Sequence, residues 1–151
     1  MFDNKNVSTL NSLIATTLDS VDGYRKAAEE ANAAQFRDIF LSRANERQTI
    51  VTGFQAKVRE LGGNPEDDGT VLASAHRAFL GLRDALTGDR DDAAVVAEVE
   101  RGEDHIKAKF ESALKDGDLD PAVQQLIQTS FASVREGHDQ MSALKHQLNA
   151  S

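Results

Sequence analysis

The chain has 151 residues, enough for one domain with a sizeable core. Its formal net charge of −8, with no basic run, sets it against the phosphate backbone of nucleic acid. Cysteine is absent, which excludes disulfide frameworks, zinc ribbons and thiol nucleophiles, and the two prolines, single tyrosine and missing tryptophan lean away from sandwiches and barrels towards helices. Met1 to Lys5 lacks the charged-then-apolar layout of a signal peptide and no apolar run approaches membrane-spanning length, so a cytoplasmic location without membrane contact is expected.

Apolar side chains recur at alternating steps of three and four from the start, at Val7, Leu10, Ile14, Thr17, Val21, Tyr24 and Ala28, which predicts a first helix over about 6–31. Asn32-Ala33-Ala34 is a weak break. A second helix over about 34–61 follows, with Phe36, Phe40, Arg43, Arg47, Ile50, Phe54, Val58 and Leu61 on one face. Gly62-Gly63-Asn64-Pro65-Glu66-Asp67-Asp68-Gly69 reads as a loop. A short helix is expected over about 70–86, carrying Leu72, Ala75, Phe79, Leu82 and Leu86, with Gly88 as its stop. Asp91 is placed to cap a helix over about 92–115, whose stripe is Val96, Val99, Glu103, Ile106, Phe110 and Ala113. After Asp116-Gly117-Asp118-Leu119-Asp120, Pro121 suits the first position of a last helix over about 121–148, with Val123, Ile127, Phe131, Val134, His138, Met141, Leu144 and Leu148. The Asp-rich turn begins like a calcium loop. However, Pro121 stands where that loop needs Gly and Ile127 where it needs Glu, so it reads as a turn and cap. The expected fold is all-α: residues 1–151 as one antiparallel four-helix bundle, with the short extra helix in the connection between long helices two and three.

Several segments resemble the DUF2383 family of the ferritin-like superfamily. They are Asp22-Gly23-Tyr24-Arg25-Lys26-Ala27-Ala28-Glu29-Glu30, Arg59-Glu60-Leu61-Gly62-Gly63-Asn64-Pro65-Glu66-Asp67, Ala75-His76-Arg77-Ala78-Phe79, Ala85-Leu86-Thr87-Gly88-Asp89, Glu98-Val99-Glu100-Arg101-Gly102-Glu103-Asp104 and Gly137-His138-Asp139. The resemblance covers nearly the whole chain. It implies a ferritin-like bundle and no particular reaction.

Three stripe positions hold charged or titratable residues where aliphatics are expected: Arg47, Glu103 and His138. Four-helix bundles place metal and cofactor sites at this depth, and a ferritin-like di-iron site takes a Glu from each of two helices and a Glu-x-x-His from each of the other two. The second helix offers Glu46-Arg47-Gln48-Thr49, without histidine. The last offers Glu136-Gly137-His138, whose two-residue spacing does not share a helix face. Asp19 and Asp22 of the first helix lie off its stripe. An arginine in the layer repels a divalent ion and competes for Glu103. The favoured reading is therefore a structural polar layer of Arg43, Arg47, Glu103 and His138, with no catalytic residue and no cofactor. The expected function is that of an interaction protein, or of a stress-associated one as the superfamily resemblance implies. The alternative is a metal-binding protein, an iron or manganese oxidoreductase or store, with Glu103 and His138 helped by Glu100, Glu46 or Asp22. Expected partners are an unidentified protein or a second copy of the chain in a homodimer. His76 reads as a histidine bonded to a neighbouring carbonyl or carboxylate, and His105 and His146 as surface residues. No nucleophile elbow or phosphate-binding glycine loop occurs.

Overall fold

A computed structural model of the chain describes residues 4–69 and 91–150. They form four long helices: α1, Asn4–Glu30; α2, Ala34–Glu60; α3, Asp92–Leu114; and α4, Pro121–Ala150. The short helix expected over about 70–86, and with it His76, lies outside the described residues. Among the described residues, no helix is long and apolar enough to cross a membrane.

Three tertiary hydrogen bonds set the directions of the helices. Near the start of α1, the Asn6 side chain accepts from the Asp120 amide at 3.0 Å, in the turn between α3 and α4. At the other end of α1, the Asp92 carboxylate accepts from the Asn32 amide at 2.7 Å and the Ala33 amide at 3.1 Å. So α1 runs antiparallel to α3 as well as to α2, and α2 and α3 run in the same direction. α2 ends at one end of the bundle and α3 begins at the other. α1 packs on α2 and α3, and α4 packs mainly on α3, so α2 and α3 face each other across a diagonal.

Local chemistry accounts for the helix ends. At the close of α2, the Gly62 amide donates to the Arg59 carbonyl and the Gly63 amide to the Val58 carbonyl, both at 2.9 Å. This is the paired closure of a Schellman motif. It requires a left-handed residue just past the helix, and Gly62 supplies it with φ of 84°. At the start of α3 the Asp91 side chain accepts from the Ala94 amide at 2.8 Å. The start of α2 is different. Ala33 stands at its N-cap and offers no side-chain acceptor. The Asp92 carboxylate, from the first turn of α3, supplies acceptors to the amides there instead.

The interior is two apolar clusters. One gathers Leu10, Leu13, Ile14, Val51, Phe54, Val58, Ile106, Phe110, Val123, Ile127 and Val134. Its aromatic seam runs from Phe54 to Phe110, ring centres 6.0 Å apart, and on to the stacked Phe131 at 6.2 Å. The other is richer in small residues: Ala27, Ala28, Ala31 and Ala44, with Tyr24, Phe36, Phe40, Val95, Val96 and Met141. Between the clusters lies a band of polar residues.

Because two backbone donors depend on Asp92, replacing it with alanine is expected to lower stability by about 1–2 kcal/mol, in the range of a lost N-cap. Urea unfolding followed by far-UV circular dichroism measures it.

Candidate functional site

At the band between the clusters, Arg47 of α2 and Glu103 of α3 meet inside the bundle. Their exposures are 0% and 1%. The guanidinium donates from Nη1 to Glu103 Oε1 and from Nη2 to Oε2, both at 2.7 Å. This fork-to-fork geometry is the strongest arrangement an arginine and a carboxylate adopt. Nη1 also donates to the Ser20 hydroxyl of α1 at 2.8 Å. The Tyr24 ring lies under the guanidinium, 5.5 Å from its carbon, at cation–π distance.

Each charge state follows from these neighbours. Burial works against a charged Arg47, but the hydrogen bonds and negative charge of Glu103 outweigh it and raise the guanidinium further above its ordinary value. Burial, and then the Glu103 carboxylate, push the Tyr24 phenol well above the usual tyrosine range. The phenol is therefore neutral at physiological pH. Its hydroxyl feels Glu103 but makes no hydrogen bond of ordinary geometry, and Arg47 Nε is likewise buried without a partner. A buried donor left in that state costs about 1–3 kcal/mol, so the layer is not arranged for maximal stability.

The fourth helix contributes space. A β-carbon on Gly137 of α4 would stand 2.4 Å from Arg47 Nη2 and 3.0 Å from Glu103 Oε2. Only a glycine lets the α4 backbone approach the ion pair this closely. Arg43, one turn from Arg47, lies at the edge of the layer. Its Nε donates to Gln140 at 2.9 Å, its Nη1 to Glu46 at 2.9 Å, and its Nη2 lies 3.6 Å from the largely exposed Glu136.

The other sequence-predicted residues are placed as follows. His138 stands apart from Arg47 and Glu103. In the last helix Gly137 faces the layer, and His138 turns to the α3–α4 seam, where Nε2 lies 2.7 Å from Asp104 Oδ1 and Nδ1 lies 3.3 Å from Asp139 Oδ1. Burial opposes a charged His138 ring, but these two carboxylates prevail and raise its pKa. The stripe expectation for His138 is thus corrected by one residue. Val134 and Met141 are both fully buried, and either Gly137 or His138 completes a 3-4 step between them. The guanidinium leaves room only for the glycine. Glu100 lies beside His138 on the same seam. Glu46 accepts from Arg43 at the half-buried edge, and Asp22 is half-buried on α1. Stripe reading passed over Ser20, Gln140, Asp104 and Gly137. Gly137 was visible only as part of the segment Gly137-His138-Asp139.

Comparison with known proteins follows the same lines. A model of the family described as "Domain of unknown function (DUF2383)" matches residues 5–116. No curated protein matches the chain. Among solved structures, the chain is similar to one titled as ferritin like, diiron-carboxylate proteins from Bacillus anthracis str. Ames. The TM-score is 0.61 at 12% identity, over 97% of this chain and 94% of that one. At that identity the likeness concerns the fold. Di-metal bundles of this type gather inward carboxylates from all four helices and histidines from two. Among the described residues, the layer offers one fully buried carboxylate, Glu103, and both its oxygens accept from Arg47. That donor set does not fit a pair of metal ions.

Two stability measurements test the account of the layer. Glu103→Gln should cost roughly 3–5 kcal/mol, because a charged guanidinium stays buried without its partner. The double replacement Arg47→Met with Glu103→Leu should recover most of that loss or exceed wild type. Chemical denaturation of the three proteins decides it. The glycines make a second pair. Gly137→Ala should destabilise by about 1–3 kcal/mol through overpacking. At Gly102 nothing lies within 4 Å of an added β-carbon. Gly102→Ala should therefore stabilise by roughly 0.5–1 kcal/mol, by removing a helix-interior glycine. Melting temperatures of the two variants should move in opposite directions.

Proposed function

The chain belongs to the DUF2383 family and folds as a ferritin-like bundle, and we propose that it is a non-catalytic interaction protein with a buried ion pair in the bundle core, where di-metal bundles build their sites. The observation that carries this reading is the bidentate contact of Arg47 with Glu103 at 2.7 Å on both arms, with both groups removed from water. A divalent ion on Glu103 would have to displace a guanidinium that already supplies the positive charge, and it would sit beside that cation in a medium of low dielectric constant. The neutral Tyr24 and the Ser20 hydroxyl add no second anion. A layer of this kind sets helix register more than it adds stability. It ties α2 to α3 across the diagonal, where apolar packing alone would tolerate sliding.

With the core closed in this way, the work falls to the surface, through a protein partner or a second copy of the chain. By analogy with the ferritin-like superfamily, that surface would serve under stress. Elemental analysis of protein purified without chelator tests the reading. Replacing Glu103 with alanine should leave iron and manganese content unchanged, and pulldown with the intact chain should recover a protein partner or another copy. About one iron or manganese per chain that disappears in Glu103→Ala would instead make the protein a metal-dependent oxidoreductase or store.

A further inference from the structure

A second constellation lies outside the ion-pair layer, on the seam between α3 and α4. Glu100 and Asp104 are four residues apart, on one face of α3. His138 meets them from α4. One ligand atom from each of the three lies within 4.8 Å of the other two. We propose that Glu100, Asp104 and His138 bind one divalent first-row transition-metal ion, with Asp139 orienting the imidazole from behind.

The donor types select the ion. Two carboxylates and an imidazole suit zinc, manganese or ferrous iron, whereas calcium and magnesium prefer oxygen donors throughout. Three protein ligands leave at least one position for water.

The surroundings of the histidine point the same way. A metal-bound histidine typically gives its second ring N–H to a carboxylate, which fixes the tautomer and aims the other nitrogen. Here Nδ1 faces Asp139 and Nε2 faces Asp104, so the ring is already aimed from both sides. A plain surface ion pair would need only one of these carboxylates.

The parts differ in freedom in a useful way. The side chains of Glu100 and His138 are 14% and 15% exposed, and that of Asp104 is 58% exposed. Two ligands are therefore held by packing while the third can swing in. Ligand atoms around a four-coordinate ion with bonds of roughly 2.0–2.1 Å lie about 3.3 Å apart, so closure needs side-chain rotation alone. The cations facing the site are Lys145, 3.8 Å from Glu100, and Lys107, which acts on His138 by charge. Both sit on flexible stems. Glu103, next to Asp104 in sequence, turns into the bundle and has both oxygens held by Arg47, so it does not share this site.

Calorimetric titration of the full-length, metal-stripped chain with zinc, and visible absorption with cobalt, tests the proposal. One zinc per chain is expected, with cobalt d–d bands of a nitrogen–oxygen site. His138→Gln and Asp104→Asn should each weaken binding at least tenfold, and Asp139→Asn should weaken it by about 10–100-fold. The acidic trio Glu66, Asp67 and Asp68 is the control, and neutralising all three should leave the affinity unchanged. Manganese line broadening in the wild-type spectrum provides a readout that needs no variant, and it should centre on His138. Absence of saturable uptake, uptake indifferent to His138→Gln, or broadening centred on residues 66–68 would each overturn it.

Discussion

One salt bridge organises this molecule. Arg47 and Glu103 join the two helices that face each other across the bundle diagonal, and they divide the interior into two apolar halves. The surrounding choices follow from accommodating that pair. The Ser20 hydroxyl accepts a hydrogen bond from an Nη1 proton that would otherwise lack an acceptor. Tyr24 offers the face of its ring and keeps its own proton. Gly137 gives up its side chain so that α4 can close over the guanidinium. In a continuous aliphatic core, the α2–α3 relationship would rest on side-chain shape. Here two short charge-assisted hydrogen bonds join the helices as well.

The layer balances its charge within the polypeptide. A di-metal bundle neutralises several inward carboxylates with two cations. This chain has one inward carboxylate at that level among its described residues and neutralises it with a side chain. Together the guanidinium and the carboxylate are neutral. Arg47 Nε stays buried without a partner, which costs the layer part of what the pair contributes.

Much of the fold was legible in the sequence. The stripes of α1 to α4 are long and regular, and their breaks are local events: Gly62-Gly63 after α2, Asp91 before α3 and Pro121 opening α4. Helix limits read from those signals fall within two residues of the observed ones. Arg47 and Glu103 were legible too, because a charge on an otherwise aliphatic stripe is conspicuous. The residue facing them from α4 was not. A period of 3.6 allows steps of three or four, so Gly137 and His138 compete for one slot between Val134 and Met141. A titratable side chain attracts attention that a glycine does not. Only the volume of the guanidinium, a three-dimensional quantity, decides between them. Asp104 was invisible for a related reason. It lies off the apolar stripe, and its meeting with His138 depends on how α3 and α4 are rotated against each other.

The break between α1 and α2 was the weakest in the sequence, and its physical basis lies elsewhere in the chain. Asn32 and Ala33 carry little of their own to end one helix and begin another, and the acceptors for their amides come from Asp92, sixty and fifty-nine residues away. The corner between the first two helices is thus a product of assembly. During synthesis those residues emerge well before the carboxylate that secures them. The two amides at that corner therefore gain their partner only when the third helix arrives.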